Sequence, residues 1–76
     1  MIIHVKYFGM IAEKINSSQE TLEVDAPINL RDFFEAKFSF LESMNYQVAV
    51  NQQLTDVLKS SQNEVEVALL PPFAGG

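Results

Sequence analysis

The sequence predicts a single α+β domain in which a mixed β-sheet is covered by one main helix. Three observations support this prediction. The chain has 76 residues, which is too few for two ordinary domains. Hydrophobic and polar residues alternate near both ends of the chain, as in half-buried strands, whereas the middle carries apolar residues at helical spacing. Because a single amphipathic helix covers only one face of a sheet, this order is typical of an α+β roll.

The first predicted strand runs from Ile2 to Phe8, where side chains alternate between two faces. The side chains expected to face the core are Ile3, Val5 and Tyr7, and those expected on the opposite face are His4, Lys6 and Phe8. Gly9 breaks this strand, and a short helical turn that ends near Asn16 follows. Residues 21–24 alternate again, which predicts a second strand paired with the first.

The main helix is predicted to begin shortly after Pro27. Asn29 is expected to cap its N-terminus, and Asp32 to complement the positive end of the helix dipole. Apolar residues then recur at helical spacing; they are Leu30, Phe33, Phe34, Phe38 and Leu41. Since one helix over a small sheet needs an apolar face, we interpret its phenylalanines as core residues and not as a binding stripe.

The second half of the chain predicts two further strands. Residues 46–50 alternate, residues 54–58 show no clear pattern, and residues 60–63 are typical of a turn. Residues Glu64 to Leu70 alternate again and form the last predicted strand. The first and last strands are expected to lie side by side and parallel, joined by a right-handed crossover. This is the architecture of the ubiquitin-like β-grasp.

Composition argues against most catalytic and nucleic-acid-binding functions. The net charge is −5, whereas nucleic acids and anionic membranes require a basic face. The absence of cysteine excludes disulfides, cysteine metal sites and a cysteine nucleophile. His4, the single histidine, does not make a histidine-rich metal site, so we expect no metal. The sequence shows no secretory leader and no apolar run of membrane-spanning length, so we expect a cytoplasmic protein.

The C-terminal segment is the most informative part of the sequence. We expect residues 1–70 to form the domain and residues 71–76 to form an extended tail. Pro71 and Pro72 lack N–H donors and have a fixed φ, so they stop the sheet and form a stiff spacer. Gly75 and Gly76 have no Cβ and can pass through a channel too narrow for other residues. A diglycine ending alone is weak evidence, because chain termini are commonly disordered.

Over its whole length the chain resembles the MoaD-type sulfur carriers, which are small subunits of molybdopterin synthase. The resemblance rests on the ending PPFAGG, the stretch VAVNQQL and the segment KYFGMIAEKIN. It implies that an ATP-dependent, E1-like activating enzyme adenylates the carboxylate of Gly76, which a sulfur donor then converts to a thiocarboxylate. The large synthase subunit would use this sulfur to build the dithiolene of molybdopterin, in an assembly of two small and two large subunits. The resemblance implies no cofactor bound to the carrier itself, which is not catalytic alone.

The resemblance and the strand alternation together predict the functional residues. The tail expected to enter the partner's active site consists of Phe73, Ala74, Gly75 and Gly76, with Gly76 as the reactive residue. The predicted partner interface consists of Phe8, Leu54, Leu70, Pro71 and Pro72. Phe8 and Leu70 end their strands on the face opposite the helix, and exposed apolar patches usually mark interfaces. Alternatively, these two side chains pack against each other or beneath residues 54–58.

Other functions stay open at this point. A thiazole-forming sulfur carrier for thiamin also ends in Gly-Gly, although such carriers tend to lack the Pro-Pro pair. A ubiquitin-like protein modifier or a noncovalent interaction module would belong to a different functional class. The charged residues on the outer strand face, His4 and Lys6 with Glu64 and Glu66, are interpreted as cross-strand pairs and not as catalytic groups.

Overall fold

The computed structural model describes residues 1–72 of the chain. The predicted tail residues Phe73, Ala74, Gly75 and Gly76 lie outside the described residues, so the division into a domain of residues 1–70 and a tail of residues 71–76 stays a prediction. The elements are β1 (Ile2–Tyr7), α1 (Gly9–Ile15), β2 (Gln19–Glu23), β3 (Ile28–Asn29), α2 (Leu30–Lys37), a 3-10 helix (Ser39–Ser43), β4 (Gln47–Val50), β5 (Gln53–Leu54), β6 (Val57–Leu58) and β7 (Glu64–Leu70).

Five of the strands form one mixed sheet in the order β2-β1-β7-β4-β5. The first and last strands, β1 and β7, are parallel neighbours at its centre, and β2 and β4 pair antiparallel on either side of them. The register places Val5 opposite Val67 and Tyr7 opposite Leu69, so the inward side chains of both strands share one face. The predicted α+β fold with a mixed sheet is confirmed.

The core lies between this sheet and helix α2. Strands β1 and β7 contribute Ile3, Val5, Tyr7, Val65, Val67 and Leu69, all of which are buried. From α2, Leu30 and Phe34 are fully buried, while Phe33 of α2 and Phe38, which follows the helix, are partly buried against the same cluster. The Tyr7 ring meets the rings of Phe34 and Phe38 edge to face, at centroid distances of 6.4 and 5.8 Å. The interpretation of the helix phenylalanines as core residues is confirmed.

The start of the main helix agrees with the prediction, but its end does not. Asn29 Oδ1 accepts a hydrogen bond from the backbone N–H of Asp32 at 3.0 Å, which confirms the predicted N-cap. Helix α2 ends at Lys37, so the predicted extension to Leu41 was wrong. Phe38 adopts extended backbone angles (φ −131°, ψ 93°), and the following 3-10 helix carries Leu41 into the core.

Two smaller regions also differ from the prediction. Strand β1 ends at Tyr7, one residue before Phe8, because the chain turns directly into helix α1. Residues 54–58, which had no clear pattern, contribute to two strands of two residues each. One of these, β5, pairs with β4 at the sheet edge, and the other, β6, pairs with β3. Such short strands give too few alternations to be detected in a sequence.

Candidate functional site

The face of the sheet opposite α2 carries an exposed apolar surface beside the end of β7. We call this surface the outer patch; it consists of Phe8, Ala49, Leu54, Ala68 and Leu70. The register aligns Ala68 with Ala49 and Ala49 with Leu54, which makes one row across three strands. Leu70 lies in the next row, opposite Gln47. Phe8 keeps an extended backbone (φ −122°, ψ 153°), so it continues the alternation of β1 onto this face.

The exposed fractions of the larger side chains show how far this surface is covered by the rest of the domain. Leu54 is 66% exposed and Phe8 is 44% exposed, so neither is covered by the rest of the domain. Leu70 is partly exposed, while Ala49 is buried and Ala68 is partly buried between the larger side chains. Phe8 and Leu54 thus present apolar surface to solvent, whereas Leu70 is more covered, and the packing of Phe8 against Leu70 stays an alternative. Their role in binding a partner stays a prediction.

Residues 49 and 68 were not among the predicted interface residues. The alternation of β4 and β7 assigns both alanines to the outer face, but a small side chain gives no hydrophobic signal of its own. Their small side chains lie in one row across β4 and β7, with Ala49 buried and Ala68 partly buried. Their neighbouring positions follow from the register between β4 and β7, which pairs Ala49 with Ala68 and which the sequence does not reveal.

Arg31 of helix α2 contacts the two chain segments on either side of β4 and β5, which carry Leu54 of the outer patch. Its Nε donates a hydrogen bond to Asp56 Oδ2 at 3.1 Å, and its terminal nitrogens both donate to the carbonyl oxygen of Tyr46 at 3.3 Å. The guanidinium also lies 4.5 Å from the centroid of the Tyr46 ring. The backbone N–H of Thr55 donates to the carbonyl of Val48. These contacts fix the segment that presents Leu54, so this part of the patch is preformed.

The tail begins between two shallow pockets. One, of about 320 Å³, is lined by residues that include Arg31, Tyr46, Leu70 and Pro71. The other, also of about 320 Å³, is lined by Met10, Lys14, Phe40, Met44 and Pro72 among others. Pro71 is partly buried and Pro72 is exposed. The predicted interface residues Pro71 and Pro72 therefore lie beside Leu70, at the end of the sheet where Phe8 also lies.

The other half of the outer face is charged and paired within itself. His4 Nε2 lies 2.6 Å from Glu64 Oε1, and Lys6 Nζ lies 3.8 Å from Glu66 Oε2. All four side chains are substantially exposed. The predicted cross-strand pairing is confirmed. Exposed pairs of this kind contribute little to stability, and nothing in their arrangement suggests chemistry.

Both tyrosines are structural groups at the margin of the core. The hydroxyl of Tyr7 donates to Glu20 Oε1 at 2.7 Å, and the hydroxyl of Tyr46 donates to Glu35 Oε2 at 2.9 Å. Burial, together with the hydrogen bond to a carboxylate and its negative charge, raises the pKa of each phenol well above its ordinary value. Neither phenol is therefore available as a base near neutral pH.

Residues 1–72 lack the side-chain groupings that metal ions require. No three histidine, cysteine or acidic side chains in that range lie close enough together to hold a metal ion. Nor does any helix among the same residues combine the length and the hydropathy that a membrane crossing requires. The apolar outer patch and the adjoining tail are thus the features of the chain that call for a functional explanation.

Comparison with known protein families identifies the family of this chain. Residues 5–76 match the ThiS family, which is nearly the whole chain. The chain belongs to the ThiS family. The resemblance predicted from the sequence is confirmed at the level of family and fold. The fold of this ThiS-family chain is that of ThiS- and MoaD-like sulfur carriers and of ubiquitin-like modifiers.

Solved structures with the same fold come from archaea and bacteria. SAMP1 from Haloferax volcanii superposes with a TM-score of 0.75 at 22% identity, over 100% of both chains. The complex of subunits 1 and 2 of molybdopterin-converting factor from Helicobacter pylori gives a TM-score of 0.68 at 24% identity, also over 100% of both chains. Small archaeal modifier protein 1 from Methanosarcina acetivorans gives 0.67 at 17% identity, over 99% of this chain and 96% of that chain. At these identities the matches establish the fold of the ThiS-family chain and not its pathway.

Proposed function

We propose that this ThiS-family chain is the sulfur-carrying small subunit of a molybdopterin synthase. The observation that carries the proposal is where β7 ends: Leu70, Pro71 and Pro72 lie beside the exposed outer patch, and the sequence continues from there as Phe-Ala-Gly-Gly. An apolar surface of this kind supplies docking, and an extended ending without bulky side chains at Gly75 and Gly76 supplies reach. A domain that docks by one surface and delivers its chain end to a partner is a carrier.

The proposed chemistry takes place on the carboxylate of Gly76. In the activating enzyme this carboxylate attacks the α-phosphate of ATP, so that an acyl adenylate forms and pyrophosphate leaves. A sulfur nucleophile then attacks the carbonyl carbon and displaces AMP, which leaves a thiocarboxylate. No side chain of the carrier takes part, which suits a chain without cysteine. Acids, bases and the ATP site belong to the partners, and the carrier itself is a cosubstrate.

The proposed receiving partner is the large synthase subunit. The Helicobacter pylori relative was solved as a complex of subunits 1 and 2 of molybdopterin-converting factor, and that match spans the whole of both chains. By analogy, the outer patch docks first on the E1-like activating enzyme and then on the large subunit, in a heterotetramer in the cytoplasm. Because both partners would use the same patch, their binding is expected to be mutually exclusive.

A second candidate function is that of a protein modifier. It is favoured by the similarity to small archaeal modifier proteins, which includes the highest TM-score among the three structures described above. A modifier would be activated at Gly76 in the same way, but the acyl group would pass to a lysine amine of a target protein. A thiazole-forming sulfur carrier would also share the activation step. Activation alone therefore does not separate these functions, and the fate of the activated carboxylate does.

Intact mass spectrometry tests the proposal directly. The chain is incubated with its activating enzyme, ATP and a sulfide source, and a gain of about 16 Da is expected because one oxygen of the Gly76 carboxylate is replaced by sulfur. Addition of the large subunit and the pterin precursor should then return the chain to its original mass with formation of molybdopterin. A stable mass gain that the large subunit cannot discharge would overturn the molybdopterin assignment. Transfer of the chain to lysine would point to the modifier.

A chain that lacks Gly76 is the matched control. We expect it to fold with an unchanged melting temperature, since no core residue is removed, but to gain no sulfur and to support no molybdopterin synthesis. Full synthase activity of the Gly76-deleted chain would contradict a sulfur carrier of any pathway.

A further inference from the structure

Strands β1 and β7 separate at the point where the tail begins. Their last registered pair is Tyr7 with Leu69. Beyond this pair, β1 turns through Phe8 and Gly9 into helix α1, whereas β7 continues through Leu70 to Pro71. Pro71 has no N–H and therefore cannot extend the ladder of hydrogen bonds toward β1. Some other contact must determine the direction in which the chain leaves the sheet.

That contact is made by Gly9. Its φ is +53°, in the left-handed region that favours glycine, and it begins helix α1. A Cβ at this position would lie 3.0 Å from Cγ of Pro71 and 4.0 Å from its Cβ. The shorter distance is well inside an ordinary carbon–carbon contact of about 3.5–4.0 Å. A Cβ at position 9 would therefore require the Pro71 ring to shift by a few tenths of an ångström.

We propose that Gly9 is a positioning residue for the tail, because the absence of a Cβ at Gly9 leaves the space beside it that the Pro71 ring takes up. This role rests on the proposed function. The φ of Pro71 is fixed by its ring, and its ψ is restricted to extended values because Pro72 follows. Because both prolines restrict the backbone, a change in the orientation of Pro71 is expected to change the direction in which the following residues leave the domain.

The β1–α1 turn then serves two separate tasks through neighbouring residues. Phe8 is 44% exposed and belongs to the outer patch, so it contributes to docking. Gly9 leaves room for the ring of the first tail residue, Pro71, and so contributes to the direction of the docked chain's tail. A side chain at position 9 should therefore disturb delivery of Gly76 while leaving the docking surface in place.

The expected effect of Gly9→Ala is on rate and not on affinity. A misplacement of about 1 Å can slow a positioned reaction about 100-fold. Because the Pro71 ring would shift by only a few tenths of an ångström, we expect a smaller loss, of about tenfold, in kcat for thiocarboxylate formation. The Kd for the activating enzyme should change by less than about twofold, since the patch residues are unaltered. A merely structural defect would instead lower the fraction of active protein and leave the kcat of the folded fraction unchanged.

A double-mutant cycle isolates the contact. Pro71→Ala keeps the atom at 4.0 Å and removes the atom at 3.0 Å, so it relieves the clash. Pro72→Ala removes the other proline of the spacer and leaves the clash in place. We expect Gly9→Ala to slow the reaction about tenfold in the wild-type and Pro72→Ala backgrounds, but by less than about threefold in the Pro71→Ala background. Strain at φ +53° is common to all three backgrounds and cancels from the comparison.

The outcomes separate this inference from the proposed function. An equal effect of Gly9→Ala in all three backgrounds would overturn the positioning role while the wild-type chain still gains about 16 Da. A wild-type chain that gains no sulfur with a demonstrably active enzyme would overturn the proposed function and this role with it. If Gly9→Ala does not fold, Gly9→Asn replaces it, because asparagine tolerates a left-handed backbone yet also carries a Cβ.

Discussion

The two faces of the central sheet differ less in composition than in what covers them. Leu69 and Leu70 are consecutive leucines of β7, yet Leu69 is completely buried in the core and Leu70 is partly exposed on the opposite face of the sheet. Val67 and Ala68 show the same contrast one step earlier. Apolar side chains on the covered face gain stability from burial. Those on the uncovered face remain accessible, and the proposed function assigns them to partner binding.

The uncovered face is itself divided. Its charged half satisfies its own side chains through the pairs His4–Glu64 and Lys6–Glu66, whereas the outer patch has apolar groups in contact with solvent. The comparison shows that strands with the same alternating pattern can supply core residues, paired surface charges and an exposed apolar surface. Which task a residue performs depends on what lies above it, and the following predictions test that division.

The largest difference is expected between the same substitution at two consecutive positions. Leu69→Ala should lower the free energy of unfolding by about 2–5 kcal/mol, because it leaves a cavity in the core. Leu70→Ala should cost less than about 1 kcal/mol in stability but weaken binding of the activating enzyme by tenfold or more, as for an interface anchor. Chemical denaturation and isothermal titration calorimetry measure the two quantities.

Two results would break this part of the comparison. Equal losses of stability for both variants would mean that Leu70 belongs to the core. Unchanged affinity of Leu70→Ala, with Leu54→Asp also unchanged, would mean that partners dock elsewhere. Leu54 is useful here because its 66% exposure leaves little stability to lose.

Alkaline pH should destabilise the covered side of the sheet through its tyrosines. The pKa of Tyr7 and that of Tyr46 are raised in the folded state, while in the unfolded chain each phenol titrates near about 10. The unfolded state therefore loses these protons first as the pH rises. The tyrosine contribution to stability is fully present below about pH 10 and is lost progressively above it.

Ultraviolet absorbance of tyrosinate gives a direct measurement of this effect. The chain has only two tyrosines, so the signal is simple. Little tyrosinate should form in the folded protein near pH 10, whereas more should form at the same pH when denaturant unfolds the chain. Tyr7→Phe should make the loss of stability above pH 10 less steep. Ordinary titration of both phenols in the folded protein would contradict the burial argument.

The smallest effect is expected in the charged half of the outer face. Glu64→Gln removes the charge that faces His4, but both groups are largely exposed. We expect stability to change by less than about 0.5 kcal/mol and partner affinity by less than about twofold. A loss of affinity as large as that of Leu70→Ala would extend the docking surface across the whole outer face.

Sequence reasoning succeeded where the chemistry is local. The alternation of β1 and β7 identified the inward residues, and the side chain of Asn29 predicted the start of α2. Sequence reasoning failed where tertiary contacts determine the end of an element or the pairing of strands. The end of α2 depends on Phe38 leaving the helical conformation so that Leu41 can reach the core, and the helical spacing of the sequence continues through that point. The two-residue strands and the alanines of the outer patch depend on pairing between distant segments.

The contact between Gly9 and Pro71 was equally beyond reach of the sequence. From the sequence, Gly9 was predicted to break the first strand, and Pro71 was predicted to stop the last strand, to begin the stiff spacer and to belong to the interface. Their proximity follows from the parallel pairing of β1 with β7, which brings residues about sixty positions apart to the same edge of the sheet. A glycine that ends an element gives no sign of what it will touch.

The central position of β7 has a consequence for the order of events in the cell. Proteins are synthesised from the N-terminus, and β7 is the last strand made, yet it lies between β1 and β4 and joins the two halves of the sheet. The outer patch combines Phe8 from the start of the chain with Leu70, which lies six residues before Gly76. The patch therefore does not exist on a nascent or truncated chain that lacks residues 64–70. Formation of the outer patch is therefore coupled to the pairing of β7 with both β1 and β4, which is the step that unites the two halves of the sheet.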